Sequence, residues 1–544
     1  MSGLFIRKSV ADCESDIAER GGLKRSLTKW HLTALGVGAT IGAGIFATTG
    51  TAIVGDAFRP GAGPGIILSF ILTAVACGFA ALCYAEFAAM VPISGSAYTY
   101  AYSSLGEFIA WIIGWDLIVE YAVGNIGVAI GWSGHFRELI KYFGLHLPSW
   151  LATDFRSASI AAAAIAGGAT EAGTQYLASA LATAPQLFGV PLIFNLPAFL
   201  AVALVTVVLV IGIKESADAN NMMGLLKVGL ILFFIAIGAF LIKPGNWTNP
   251  ETGGFMPNGL KGVSAGAAII FFSYIGFDAV STAAEEAKDP RKDMPFGIIM
   301  SLVICTVLYI ALSAVMTGIA PWKVLGTAEP MLTALEYSAG PPWLLHTSRF
   351  IIALGAVIAM FSVLLVFQLG QPRIFMSMSR DGLLPKFFAK LHPKFKTPYI
   401  GTILTGIFVG TFAATANIAE VVDLTNIGTL FAFVLVSIGV IVLRYREPER
   451  VRPFRVPWVP ITPLISVVAC AYLMLQLPCI TWRRFAWWLL AGLALYFLYG
   501  AFHSRLRNPS GPRAFKMPWL ELLGVIVAGL VLHYLVFNQF LGCG

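Results

Sequence analysis

The sequence predicts an all-α integral membrane protein arranged as a five-plus-five inverted repeat of helices, with about thirteen transmembrane helices. Three observations predict it. The 544-residue chain is 58% hydrophobic and only 12% charged, with a mean hydropathy of +0.80, beyond the range of soluble domains. Apolar runs long enough to cross a bilayer recur from one end to the other. Two of these runs, the first and the sixth, are interrupted by glycine and polar residues, and corresponding interruptions five spans apart are the mark of two inverted halves whose broken helices meet near the midplane.

The runs fall near residues 31–54, 64–90, 107–136, 196–213, 217–242, 262–284, 295–319, 346–371, 398–416, 421–443, 458–478, 485–503 and 518–538, numbered here as spans one to thirteen. They divide the chain into an N-terminal tail (1–30), a first five-helix repeat (31–243), a second inverted repeat (262–445) and additional C-terminal helices (458–544). Between spans three and four, an insertion at 141–195 carries an alanine-rich stretch too short to span. It reads as an external loop with one or two short helices. Ser94 to Tyr102, between spans two and three, is rich in tyrosine and suits a short helix at the membrane interface.

Most of the 36 lysines and arginines lie in alternate loops, on the side of Arg20, Lys24 and Arg25, of Arg291 and Lys292, of Arg373 and Arg380, and of Arg444 and Arg446. Basic residues favour the cytoplasmic side, which predicts a multi-pass cell-membrane protein with a cytoplasmic N-terminus. The pI near 9.1 comes from these juxtamembrane charges, which suit anionic lipid rather than nucleic acid. The first 30 residues have no separate signal-peptide core. The seven cysteines show neither a disulfide framework nor metal spacing, so no metal is expected. The soluble segments contain no nucleotide-phosphate loop or nucleophilic triad, and all are too short for a catalytic domain, which excludes an enzyme.

The first break, Gly36-Val37-Gly38-Ala39-Thr40-Ile41-Gly42-Ala43-Gly44-Ile45-Phe46, offers consecutive amides from Ala43, Gly44 and Ile45 at the start of a half-helix. The dipole there favours an anionic group such as a carboxylate. The second break, Phe271-Phe272-Ser273-Tyr274-Ile275-Gly276-Phe277-Asp278, offers carbonyls near Phe272 and Ile275, as Ile41 does in span one, and carbonyls attract an ammonium group. Donors facing acceptors make a site for an α-amino acid. Gly38-x-x-x-Gly42 alone could instead be a close-packing helix interface, and a dinucleotide-binding reading fails because no strand precedes the glycines.

Several separated motifs resemble the amino acid–polyamine–organocation superfamily, and within it the cationic amino acid transporter branch. They are Gly38 to Phe46 in span one, Tyr84-Ala85-Glu86-Phe87 in span two, Phe277 to Glu286 with Asp289-Pro290 after span six, and Gln371 to Pro385 after span eight. The resemblance covers about residues 30–445 and implies alternating-access transport of amino acids. It also implies that the α-carboxylate sits on the Ala43 and Gly44 amides and the α-amino group on the carbonyls of Ile41, Phe272 and Ile275. Lys227, deep in span five where a buried ammonium costs several kcal/mol unless paired or deprotonated, is implied to take up and release a coupling proton. No other cofactor is expected.

Other residues carry open alternatives. Glu120, four residues after Asp116 on one face of span three, faces either the substrate side chain, favouring cationic substrates, or a buried polar partner. Asp278, Glu285 and Glu286 are expected to form a cytoplasmic gate with Arg373. Met360 reads as a flexible pocket wall or as plain core, and Glu86 as structural. The rival functions are a proton-independent facilitator or exchanger of cationic amino acids, and a receptor that signals without transport. The expected partners are the free amino acid and membrane lipid, and an accessory subunit is left open.

Overall fold

The computed structural model describes residues 6–7, 26–90, 96–168, 172–212 and 217–507. Among these residues, nine helices are long and apolar enough to cross a membrane: spans one (Lys29–Val54), two (Gly63–Met90), three (Glu107–Lys141), five (Met222–Ala239), six (Gly259–Ser281), seven (Pro290–Ile319), eight (Pro342–Arg380), ten (Ile418–Arg446) and twelve (Cys479–His503). Spans four, nine and eleven are shorter helices, Leu196–Ile211, Tyr399–Thr415 and Ile461–Leu475. Span four stops where Gly212 turns to φ 91°, a conformation open to glycine. The expected thirteenth span, 518–538, lies outside the described residues.

Local sequence explains where the long helices break. Span one is helical over Lys29–Thr40 and extended at Ile41 (φ −75°, ψ 99°). It resumes as a wide π turn over Gly44–Thr48 and continues as Thr49–Val54. The Thr48 hydroxyl donates to the Gly44 carbonyl at 2.7 Å, and the Thr49 hydroxyl donates to Ile45 at 3.1 Å, so threonines satisfy carbonyls that the wide turn leaves over. Span six is helical to Ile270, tightens to a 3₁₀ turn at Phe271–Ser273, and opens at Gly276 (φ 119°) before a second 3₁₀ stretch, Asp278–Glu286. A π turn at Val119–Val123 also interrupts span three and carries Glu120. Such turns cluster at functional sites.

The 141–195 insertion folds as two twelve-residue helices, Phe155–Ala166 and Ala172–Thr183, packed on each other, followed by a short hairpin pairing Gln186–Leu187 with Val190–Pro191. Asp154 caps the first helix by accepting from the Ser157 amide at 2.8 Å. Arg156 pairs with Glu420, and Asn417 donates to Ser157 at 3.0 Å, so the insertion is fastened to the start of span ten. Cys77, Cys83, Cys305 and Cys470 are buried free thiols. Cys479 is disulfide-bonded, a bond that its spacing in the sequence does not announce.

Glu86 anchors the opposite end of the bundle. Its carboxylate accepts from the Arg444 guanidinium at 2.9 and 2.6 Å and from the Val456 amide at 2.7 Å, with Arg452 at 3.4 Å. Glu86 is 1% exposed, and removing one partner of a buried charge pair strands the other. Glu86→Ala is expected to cost about 3 kcal/mol and to lower the melting temperature of the purified protein. An unchanged transition would show that the cluster contributes no stability.

Candidate functional site

The two interrupted spans cross through their backbones. A methyl group added at Gly44 would lie 2.3 Å from the Ser273 Cα, and one at Gly276 would lie 2.8 Å from the Ala39 carbonyl carbon. Only glycine allows that approach at both points, and at Gly276 the positive φ adds a second requirement. The missing side chain of Gly44 therefore faces the span-six backbone and not open space, so bulk placed there acts first on the helix crossing.

At the crossing, half-helix ends of opposite polarity come together. The Phe46 amide donates to the Gly42 carbonyl at 3.2 Å, so the amides of Ala43, Gly44 and Ile45, which precede it, have no partner within the half-helix. The first half of span one ends in carbonyls that neighbouring helices engage. Lys227 donates through Nζ to Gly38, and the Tyr309 hydroxyl donates to Thr40 at 3.0 Å. In span six, Asn426 from span ten donates to Ala268 and Ile269 at 2.7 and 3.2 Å. The carbonyls of Ile41, Phe272 and Ile275 lie at or just past the half-helix ends, where regular helical pairing stops.

Around this polar centre the walls are apolar. A methyl group at Gly127 would lie 3.3 Å from the Phe272 ring, and one at Gly131 would lie 3.7 Å from the Met360 sulfur and 3.3 Å from the Ala43 Cβ. Span three thus contributes a bare glycine face between Phe272 and Met360. The spacing Gly124-x-x-Gly127-x-x-x-Gly131-x-x-Gly134 is visible in the sequence, but what those glycines face is not. Ile41, Ala43, Ile45, Phe272, Ile275 and Met360 are all buried. On one side of the crossing, Thr48, Thr51, Ile269 and Val422 line a small cleft with Arg59 and Asp423, whose side chains pair at 2.8 Å. Arg59 also meets Asp56 at 2.6 Å.

On the side of the N-terminal segment, the amides of Ser26 and Leu27 both donate to the Glu286 carbonyl at 2.9 Å, and the Lys288 amide donates to Leu27 at 2.8 Å. The charge gate expected there is not assembled. Asp278 is fully buried and turns toward Glu120, because the Gly276 kink aims the following 3₁₀ stretch into the core. Arg373 is exposed, and among the described residues no ion pair joins it to Asp278 or Glu286. The Glu285 side chain lies outside the described residues. Glu120 adjoins Asp278 and Thr429, about two helical turns from Gly127 along span three, and so stands apart from the apolar walls at Phe272 and Met360.

With broken helices, paired ends and closed walls in place, comparison with known proteins is decisive: the amino acid permease family matches residues 27–502. The chain belongs to that family. It is accordingly a member of the amino acid–polyamine–organocation superfamily, an all-α membrane transporter whose activity is amino acid transport, and not an enzyme. It is 44% identical over 505 residues, covering 93% of this chain and 99% of the relative, to the branched-chain amino acid permease of Bacillus subtilis (strain 168). It is 43% identical over 508 residues, 93% of this chain and all of the relative, to the methylthioribose transporter of the same organism. A vacuolar cationic amino acid transporter of Arabidopsis thaliana is 37% identical over 456 residues, 83% of this permease and 68% of the relative.

The crossing gives a direct test of whether the site depends on backbone contact. Gly276→Ala is expected to weaken substrate binding at least about tenfold, since a strained φ and a 2.8 Å clash act together. Gly78→Ala, where nothing lies within 4 Å of the added methyl, is expected to leave binding unchanged. Equal affinities in the two variants, measured by thermal shift with titrated substrate, would separate the crossing from the site.

Proposed function

We propose that this permease carries neutral, apolar α-amino acids into the cell by proton-coupled alternating access, holding the substrate through its α-carboxylate and α-amino groups at the crossing. The observation that carries the substrate class is the pairing of free amides at Ala43, Gly44 and Ile45 with half-helix carbonyls at Ile41, Phe272 and Ile275. Opposite dipole ends suit a zwitterion. The side-chain space favours apolar substrates, because its walls are Phe272, Met360, Val421 and bare glycines, and Glu120 lies away from them, beside Asp278. The name of the branched-chain relative agrees with that preference. In this reading spans one to five and six to ten are inverted repeats, the N-terminus is cytoplasmic, and the segment around Glu286 closes the cytoplasmic side.

Coupling rests on Lys227. It is 1% exposed, donates to the Gly38 carbonyl at the edge of the first break, and no carboxylate pairs with it among the described residues. A carbonyl is a poor counterweight to an ammonium in a dry interior, so the side chain is placed to gain and lose a proton as water reaches the break. When protonated it holds the first half of span one in its substrate-ready position. Deprotonation removes that tie and releases the substrate.

Two measurements check this reading. In competition for binding, leucine, valine and alanine are expected to displace one another, while arginine and amino acids blocked at either the α-carboxyl or α-amino group are expected to compete at least about a hundredfold more weakly, the loss of a charge-assisted contact at each end. Methylthioribose binding more tightly than any amino acid would overturn the substrate assignment. In liposomes, a pH gradient is expected to drive accumulation by the wild type and not by Lys227→Met. Uptake that requires sodium and ignores a pH gradient would overturn the coupling scheme.

A further inference from the structure

The hairpin that precedes span four carries its large apolar side chains on the outside. Gln186 pairs with Pro191 and Leu187 with Val190, which leaves Phe188 (φ 50°) and Gly189 (φ 78°) as a two-residue turn. A turn with two positive φ values suits Asn-Gly or Gly-Gly, and a bulky residue at its first position is strained. Phe188 nonetheless occupies that position and is 98% exposed, with Leu187, Val190 and Leu192 exposed beside it. The insertion has a small core of its own, but Ala158, Ala180, Ala184 and Ile193 build it. Alanines are thus buried while a phenylalanine and two leucines face outward, the reverse of what water alone would select.

The place of the hairpin in the fold points to what covers this patch. The Leu192 amide closes the hairpin by donating to Pro185 at 2.9 Å, and the Asn195 amide donates to Ala414, at the end of span nine, at 2.8 Å. Three residues of chain reach at most about 11 Å, so the base of the hairpin lies at the adjoining ends of spans four and nine. From there span four presents Phe199, Leu200, Leu204 and Val207 outward, an apolar flank that faces hydrocarbon, and the hairpin continues that apolar surface beyond the helix end. No charged residue occurs between Ala172 and Gly212. The polar ties of the insertion to the rest of the protein lie elsewhere, where Arg156 pairs with Glu420 and Asn417 donates to Ser157. Lipid at the bilayer surface accepts aromatic and aliphatic side chains without a partner of matching shape.

We propose that the hairpin is a membrane-surface anchor, which sets Phe188, Leu187 and Val190 into the interfacial layer of the lipid beside spans four and nine. The occupant of the patch is phospholipid, held by apolar contact and not by headgroup charge. Because the insertion is also fastened to the start of span ten, the anchor links that helix end to the bilayer surface. None of this depends on the substrate or on the coupling ion.

Spin-label accessibility in liposomes containing the full-length protein tests the anchor. A nitroxide attached at Val190→Cys, with the label signal of the wild type subtracted, is expected to collide more with oxygen, which concentrates in lipid, than with a water-soluble nickel chelate. A label at Glu251→Cys, on an exposed charged position, is expected to show the opposite preference. Adding Phe188→Asp to Val190→Cys is expected to invert the preference at Val190 toward nickel, since a charged side chain is costly in the apolar layer. The side chain of Phe188 is almost wholly exposed, so its loss leaves the protein's own packing intact. The oxygen preference is expected to be the same in phosphatidylcholine and phosphatidylglycerol bilayers. A nickel preference at Val190 overturns the proposal in favour of a hairpin standing in water, and shielding from both reagents overturns it in favour of a protein contact, with a second copy or with the mouth of the transporter. An oxygen preference that survives Phe188→Asp, or that appears only in phosphatidylglycerol, overturns the apolar anchor.

Discussion

Everything in this transporter is arranged around two backbones touching without side chains between them. Gly44 against Ser273 and Gly276 against Ala39 bring the interruptions of spans one and six into contact twice. A helix broken in hydrocarbon leaves amides and carbonyls that lipid cannot satisfy. Bringing the two breaks together lets neighbouring helices take some of these groups, through Lys227, Tyr309 and Asn426, and the proposed function assigns others to the substrate. The crossing is therefore the place where the proposed function seats a small molecule charged at both ends.

The same economy governs the buried ionisable groups. The Glu86 carboxylate accepts from both Arg444 and the Val456 amide, which ties one end of spans two and ten together. Lys227, Glu120, Asp278 and Asp116 are different, because among the described residues none has an opposite charge in contact. Incomplete pairing in a dry interior is unstable in one protonation state.

Much of this architecture is legible in the sequence because hydrocarbon imposes a simple rule on composition. Long apolar runs, interruptions at spans one and six, and a lysine in the middle of span five all stand out as departures from that rule. What could not be read depends on rotation about helix axes. Asp278 and Arg373 have opposite charges and suitable sequence positions, yet the kink at Gly276 turns the aspartate inward while Arg373 points outward. The π turn at Val119–Val123 rotates Glu120 in the same hidden way, so its facing to Asp278 was not visible in periodicity alone. The glycine wall of span three was visible as a pattern, but its meaning required knowing that Phe272 and Met360 lie opposite.

Spans four and nine, at 16 and 17 residues, lie side by side, with Gly406 against Thr206 and Gly410 against Phe199. Each rises only about 24–26 Å, whereas the hydrocarbon of a typical bilayer is about 30 Å thick. Along that flank the lipid must thin or the helix ends must draw polar headgroups inward, at a cost of fractions of a kcal/mol per Å. The protein thus meets its membrane unevenly, with a thin edge on one side, and bilayers of different acyl-chain length will press on that edge to different degrees.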